Sequence, residues 1–324
     1  MKRTLIAALA ALLVASPLAA LAQAPAKYPT KPVTIVVPYP PGGSNDTFAR
    51  ALGRKLSEAW GQPVLVENKG GAGGSIGAAY VSKAVPDGYT LVLMSSSFTT
   101  NAAIQPNLPF DPVKDFTPVT MVARGPMILA VANKIPAKNV AELIKLAKSQ
   151  PGKLNFGSSG AGSTNQFATE LWMAAAGVDM THVPYKGMNP AVTDLIGGHV
   201  DVLFASLPSI YAQTKSGKAR ALGVTSLKPF AAAPELPALA QNGAPGFGFD
   251  LWWGVWGPPG LPPEIAAKIT ADLQKILMTP EMKEIFLREG ADSVWMAPNE
   301  FARTVGTEIE QWKKVAAKAG IKPD

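Results

Sequence analysis

The sequence predicts an α/β fold in two lobes. Three observations carry that reading. Short runs rich in Val, Ile and Leu alternate with stretches whose apolar residues recur every three or four positions, the pattern of strands and helices doubly wound around a largely parallel sheet. The chain has 324 residues, more than one core of ordinary size holds. One unit, a strand followed by a Gly-rich turn and an amphipathic helix, occurs twice, at 33–60 and at 154–176.

The chain opens with a leader. Met1-Lys2-Arg3-Thr4 is basic, Leu5 to Val14 is apolar, and Ala22-Gln23-Ala24 is a small-residue cleavage pattern, so a signal peptide of residues 1–24 and an exported protein are expected. Ser16, Pro17 and Gln23 interrupt the apolar stretch well before the roughly 20 residues that span a bilayer.

Val33 to Val37 then predicts a buried strand. Pro38, Pro40 and Pro41 stop it, because proline has no N–H for a ladder. Gly42 and Gly43 allow a sharp turn or the close approach of a ligand. Ser44 or Asn45 starts a helix, and Asp46 falls in its first turn, where a negative charge suits the dipole. Phe48, Leu52, Leu56 and Trp60 recur every four residues among charged neighbours. A strand, a turn and a helix start in this order offer free backbone N–H groups to an anion. The plainer reading is a connection whose glycines only turn the chain.

Val64 to Asn68 predicts the second strand, and Gly70 to Ser75 leads into a helix ending near Ala84. Gly71, Gly73 and Gly77 miss the dinucleotide spacing by one, and no acidic residue follows where a ribose would need it. Thr90 to Met94 predicts a third strand whose carboxyl end carries Ser95, Ser96 and Ser97, placed to meet a ligand or to cap a helix. Residues 117–131 are extended with a break at Arg124-Gly125-Pro126 and can carry the chain to a second lobe. There a helix at 140–150 precedes the second copy of the unit. Leu154 to Gly157 is its strand, Ser158 to Asn165 its turn, and Phe167, Leu171 and Ala174 begin its helix. Strands follow at 181–184, 200–206 and 220–225, with a helix at 190–197 and a return crossing at 247–257. Trp252 and Trp253 in that crossing suit a core or a cleft wall. Helices at 262–279, 280–290 and 298–319 close the chain, started by proline and acidic residues.

Composition narrows the function. With no cysteine there are no disulfides and no thiolate chemistry. The formal charge is +7, and loss of Lys2 and Arg3 with the leader leaves 28 basic residues against 23 acidic, a mild preference for small anions. No basic run interleaved with aromatics suggests a nucleic acid. Two separated histidines, His182 and His199, do not make a metal site. A hydrolase needs a nucleophile and a base, but Gly157-Ser158-Ser159-Gly160 is not a nucleophile elbow, His182 sits in a strand before Pro184 with Asp179 near it as a surface pair, and His199 sits in a turn after Gly197-Gly198. No catalytic residue, metal or cofactor is expected.

Several segments in fixed order resemble one known family. They are YPTKPVTIVVPYPPGGSNDTFAR (28–50), VENKGGAGGSIGA (66–78), PDGYTLVL (86–93), DFTPVT (115–120), GSSGAGSTNQFATELW (157–172), VPYKGMNPAVTDLIGGHVDVLFA (183–205) and WGVWGPPGLPPEI (253–265). The chain resembles the Bug (Bordetella uptake gene) type of periplasmic solute receptors of tripartite tricarboxylate transporters. The resemblance implies a two-lobed Venus-flytrap fold with two crossing hinge strands. Residues 25–122 and 250–324 would form one lobe and 123–249 the other. It implies a small carboxylate, aliphatic or aromatic, held in the cleft and delivered to membrane subunits by a monomeric periplasmic receptor. The residues expected to face it are Pro40, Gly42, Gly43, Ser44, Asn45, Asp46, Ser96, Ser97, Ser158, Gly162, Ser163, Thr164, Asn165, Tyr185 and Ala205. Relatives often carry histidine where this chain has Asn165, and threonine where it has Asn45. A receptor that feeds a signalling protein is the alternative, and a periplasmic hydrolase a more distant one.

Overall fold

A computed structural model describes residues 28–323. The expected leader lies outside them. Among the described residues the strands are β1 (Val33–Val37), β2 (Val64–Asn68), β3 (Thr90–Ser95), β4 (Thr117–Gly125), β5 (Met127–Val131), β6 (Asn155–Ser158), β7 (Thr181–Pro184), β8 (Val202–Ser206), β9 (Arg220–Val224), β10 (Leu251–Gly257) and β11 (Asp292–Ser293). The α-helices are α1 (Ser44–Trp60), α2 (Ser75–Ser82), α3 (Ser97–Ile104), α4 (Val140–Ser149), α5 (Thr164–Ala176), α6 (Met188–Gly197), α7 (Leu207–Lys215), α8 (Pro263–Leu277), α9 (Pro280–Arg288) and α10 (Pro298–Ala319).

Two sheets result, in the orders β11-β4-β10-β3-β1-β2 and β7-β6-β8-β5-β9. In the first, β1 lies parallel between β2 and β3; in the second, β6 lies parallel between β7 and β8. This is the doubly wound pattern expected, with the parallel run broken by two strands of the first sheet and one of the second. β10 runs antiparallel to β3 and β4, the two-residue edge strand β11 antiparallel to β4, and β5 antiparallel to β8 and β9. The cause is the direction of entry. β5 arrives from the first sheet and begins opposite the last residue of β8, pairing Met127 with Ser206. β10 arrives from the second sheet and pairs Trp253 with Ser95, the last residue of β3. A strand that enters at the carboxyl ends of its neighbours must run against them.

The two crossings lie side by side. The Thr225 N–H donates to the Met127 carbonyl and the Phe249 N–H to the Thr225 carbonyl, each at 2.9 Å, while Leu251 pairs with Gly125. Gly125 sits where no side chain fits, since a Cβ there would meet the Gly290 carbonyl and come within 2.9 Å of the Ala291 Cα. Arg124 and Asp250 tie the crossings with an ion pair of 2.7 Å.

Alternation along β1 supplies both faces of the first sheet. Val33, Ile35 and Val37 pack with Phe48 and Leu52 of α1, Leu273 of α8 and Phe286 of α9, whereas Val36 packs with Val81, Phe98 and Phe301 on the other side. The second sheet has a core around Leu129, Phe156, Phe167, Trp172 and Phe204. Helix α10 belongs to both. Phe301, Val305 and Ile309 pack on the first sheet, while Trp312 and Ala316 pack in the core of the second. Trp252 and Trp253 are buried in the core.

Candidate functional site

Each lobe puts a turn and a helix start beyond the carboxyl end of a parallel strand, where open α/β sheets bind ligands. In the first lobe Gly43 is the N-cap of α1, and no side chain caps it. The turn before it is braced from behind. Asp46 accepts the Gly42 N–H at 3.1 Å and the Arg50 Nε–H at 3.1 Å, with Arg50 Nη2 2.9 Å from its other oxygen. Arg50 also donates to Asn68 Oδ1 at 3.1 Å, and Asn68 Nδ2 donates to the Tyr39 carbonyl at 3.2 Å. Burial opposes the charge on Asp46, but Arg50 and the Gly42 N–H outweigh it and hold the carboxyl below its usual range. Pro40 lies against Gly70 of the neighbouring turn. At the end of β3, Ser97 Oγ donates to the Tyr39 hydroxyl at 2.8 Å and lies 3.0 Å from Ser95 Oγ. Burial pushes the Tyr39 hydroxyl up, partly offset by those serines. The buried Ser96 Oγ and Asn45 Oδ1 have no protein partner.

The second lobe repeats the construction with neutral groups. Ser163 is the N-cap of α5 and its side chain makes no capping bond; its hydroxyl donates instead to the Gly160 carbonyl at 2.6 Å. Gln166 stands where Asp46 stands in α1, three residues after the N-cap, and accepts the N–H of Gly162 at 2.8 Å. Its amide nitrogen lies 3.2 Å from His182 Nδ1, and His182 Nε2 lies 2.6 Å from Ser158 Oγ. Asn165, 4% exposed, turns Oδ1 toward the Ser159 hydroxyl at 2.9 Å, leaving a buried Nδ2 without a partner in the protein. Such a donor is costly unless something fills it.

The second turn meets the first lobe. Gly162 has φ +73°, and a Cβ there would collide with Ile104 Cδ1 at the end of α3. The start of α5 therefore sits against the helix that follows β3, and Thr164 and Asn165 are its first residues. Tyr185 donates to Asp194 at 2.6 Å, and burial with that carboxylate pushes its hydroxyl up to about 12. Ala205 is enclosed between β5 and β6, opposite Ile128.

Ser158 is fully buried, and its hydroxyl donates to the Gly160 carbonyl at 2.9 Å. Among the described residues no His, Cys, Asp and Glu cluster could hold a metal, and no helix is long and apolar enough to cross a membrane. Sequence reasoning passed over Tyr39, Asn68, Gln166 and the structural use of His182. The one available signal was the acceptor three residues after each helix start, Asp46 and Gln166, which is the far half of a capping box.

Residues 48–321 match the family described as "Tripartite tricarboxylate transporter family receptor". Protein BugT of Bordetella pertussis is 35% identical over 91% of this chain and 91% of its own length. The structure of R. palustris Rpa4515 with adipate superposes with a TM-score of 0.79 at 36% identity, covering 92% of this chain and 100% of that one. MatC from Rhodopseudomonas palustris with bound malate gives 0.74 at 32% identity, covering 89% and 99%. With its two lobes, its paired turns and these relatives, the chain belongs to the receptor family of tripartite tricarboxylate transporters.

Proposed function

We propose that the protein is a periplasmic receptor that binds a small organic acid between its lobes and delivers it to the membrane subunits of a tripartite transporter. It acts without turning its ligand over and as a monomer. The leader of residues 1–24 exports it; residues 25–122 with 250–324, and 123–249, are the parts that move. The carrying observation is the unpartnered amide of Asn165 at an uncapped helix start that abuts the opposite lobe. An anion replaces its lost water with such donors at little reorganisation cost. Ser44 and Asn45 supply the corresponding N–H groups on the first lobe, held by Pro40 to Gly43 and Asp46. Ser96 and Ser97 flank them. Across the cleft stand Ser158, Gly162, Ser163, Thr164 and Asn165, with Tyr185 and Ala205 behind. Only the closed state makes both sets of contacts, so ligand favours closure. The adipate and malate held by two relatives support a carboxylate of this size.

A thermal-shift screen over aliphatic and aromatic mono- and dicarboxylates tests the reading. At least one acid is expected to raise the melting temperature, and Thr164→Ala to shrink that rise. A flat response to every acid overturns it.

A further inference from the structure

We propose that Ile104 is a positioning residue that sets ligand size: it is the spacer on which the second turn rests when the lobes shut, and its bulk decides how long an acid the two helix starts can share. The effect on ligand choice rests on the carboxylate reading above; the contact itself does not. Two glycines with left-handed backbone touch the opposite lobe. Gly162 (φ +73°), one residue before the N-cap of α5, lies against Ile104 Cδ1 at the end of α3. Gly290 (φ +70°) lies against the start of α7, where a Cβ would come within 2.7 Å of Leu207 Cβ and 3.1 Å of Pro208 Cδ. Each contact is joined to one of the helix starts. Gly162 belongs to the turn that opens α5. Next to Gly290, the Glu289 carboxylate accepts from the hydroxyl of Ser44, the first residue of α1, at 3.5 Å. The separation of the two starts therefore follows the thickness of what fills these contacts.

The two contacts differ in how far they can be adjusted. At Gly290 the nearest atoms are a Cβ and a proline ring, both held close to the backbone. At Gly162 the nearest atom is the far end of an isoleucine, the part that a substitution lengthens or shortens. The base of that side chain is anchored. Along α3, Ser97 donates to the Tyr39 hydroxyl at 2.8 Å and Asn101 Nδ2 to the Ala72 carbonyl at 3.3 Å. Thr99 Oγ1 donates to Glu308 at 3.0 Å and accepts from Trp312 Nε1 at 3.2 Å. Helix α3 cannot retreat without breaking these bonds. Ala103 and Ile104 at its end pack against the core of the second lobe. That contact is apolar and non-directional, so it halts the approach of the lobes without selecting the chemistry of the ligand. Two relatives of this fold hold adipate and malate, acids of different length, so the fold by itself does not set the size.

The test has two arms on the purified protein. A side chain at a left-handed glycine would strain the turn as well, so the first arm changes Ile104 instead. Calorimetry measures wild type, Ile104→Ala and Ile104→Phe against straight-chain diacids from succinate to suberate. Ile104→Ala is expected to move the best-bound acid to a shorter one and Ile104→Phe to a longer one. Each should lose about tenfold or more on the wild-type favourite, the worth of one misplaced methylene. A merely structural role would weaken every acid alike, so an unchanged order in both variants overturns the proposal. The second arm needs no ligand. The chain has no cysteine, so Ile76→Cys and Asn189→Cys, at exposed sites on the helices that follow β2 and β7, can be spin-labelled without interference. The shortest distance seen between the labels by pulsed electron resonance is expected to grow in Ile104→Phe. It should not grow in Leu207→Ala, which keeps the Cβ that faces Gly290. Equal distances in wild type and Ile104→Phe overturn the proposal. If no diacid binds the wild type, the claim about ligand size fails with the carboxylate reading for this series, and the second arm still decides whether Ile104 is the spacer.

Discussion

At the scale of single residues, Asn165 carries the sharpest expectation. Its oxygen is committed to Ser159 and its nitrogen is buried and open. Asn165→Ala removes the donor and should weaken carboxylate binding by about ten- to a hundredfold, the worth of one hydrogen bond to a charged group. Asn165→Asp should do far more damage, because it sets a carboxylate against an anionic ligand. Calorimetry on both variants checks the order; equal affinities for wild type and Asn165→Asp would remove Asn165 from the site. The helix start that carries Asn165 was legible in the sequence because a Gly/Ser turn ahead of an amphipathic pattern marks such a start wherever it occurs. The neighbouring pair was not. Gln166 and His182 meet only because β7 pairs with β6, placing His182 opposite Phe156, and no local pattern encodes which strands pair.

At the scale of elements, the two strand–turn–helix units were readable because proline stops, glycine turns and a period of 3.6 residues are all local properties. Strand direction was not. β10 and β5 are reversed by the edge at which the chain enters each sheet, a property of the whole path. The amphipathic pattern of α10 was equally plain, yet nothing in it told that its two ends serve different cores. Trp312 marks the change. It is 2% exposed, touches Phe167 and Phe249 with ring centroids 5.5 and 5.7 Å away, and its Nε1–H donates to Thr99 Oγ1 at 3.2 Å. Trp312→Ala should cost about 3–5 kcal/mol by chemical denaturation, as for other buried aromatic truncations. Because its contacts lie on both lobes, the variant should also show a larger radius of gyration without ligand. An unchanged denaturation midpoint would contradict this placement.

At the scale of the molecule, stability should depend on pH through Glu308. Trp252 Nε1–H donates to its carboxylate at 2.8 Å and the Thr99 hydroxyl lies 3.0 Å away, at the junction of the lobes. Burial pushes its pKa from 4.5 to about 7, against the lowering effect of those hydrogen bonds. The folded chain therefore holds a proton that the unfolded chain releases. Stability rises as pH falls from about 7 toward 4.5, and that contribution is absent above the window. Glu308→Gln should be more stable than wild type at about pH 8 by up to roughly 3 kcal/mol, with the gap closing on acidification. A smaller slope should persist from Glu170, pushed to about 7 by burial and Asp179. Denaturation at several pH values measures both. The pairing of Gly125 with Leu251 has a separate consequence for the gene. The segment that builds the second sheet departs and returns one strand spacing apart, about 4.8 Å. It can be treated as a cassette: a short linker across that gap should yield a minimal first half, provided Trp312, stripped of its Phe167 neighbour, is exchanged for a polar residue. The same spot is a natural seam for grafting a foreign segment between Gly125 and Leu251 and building sensors from this scaffold.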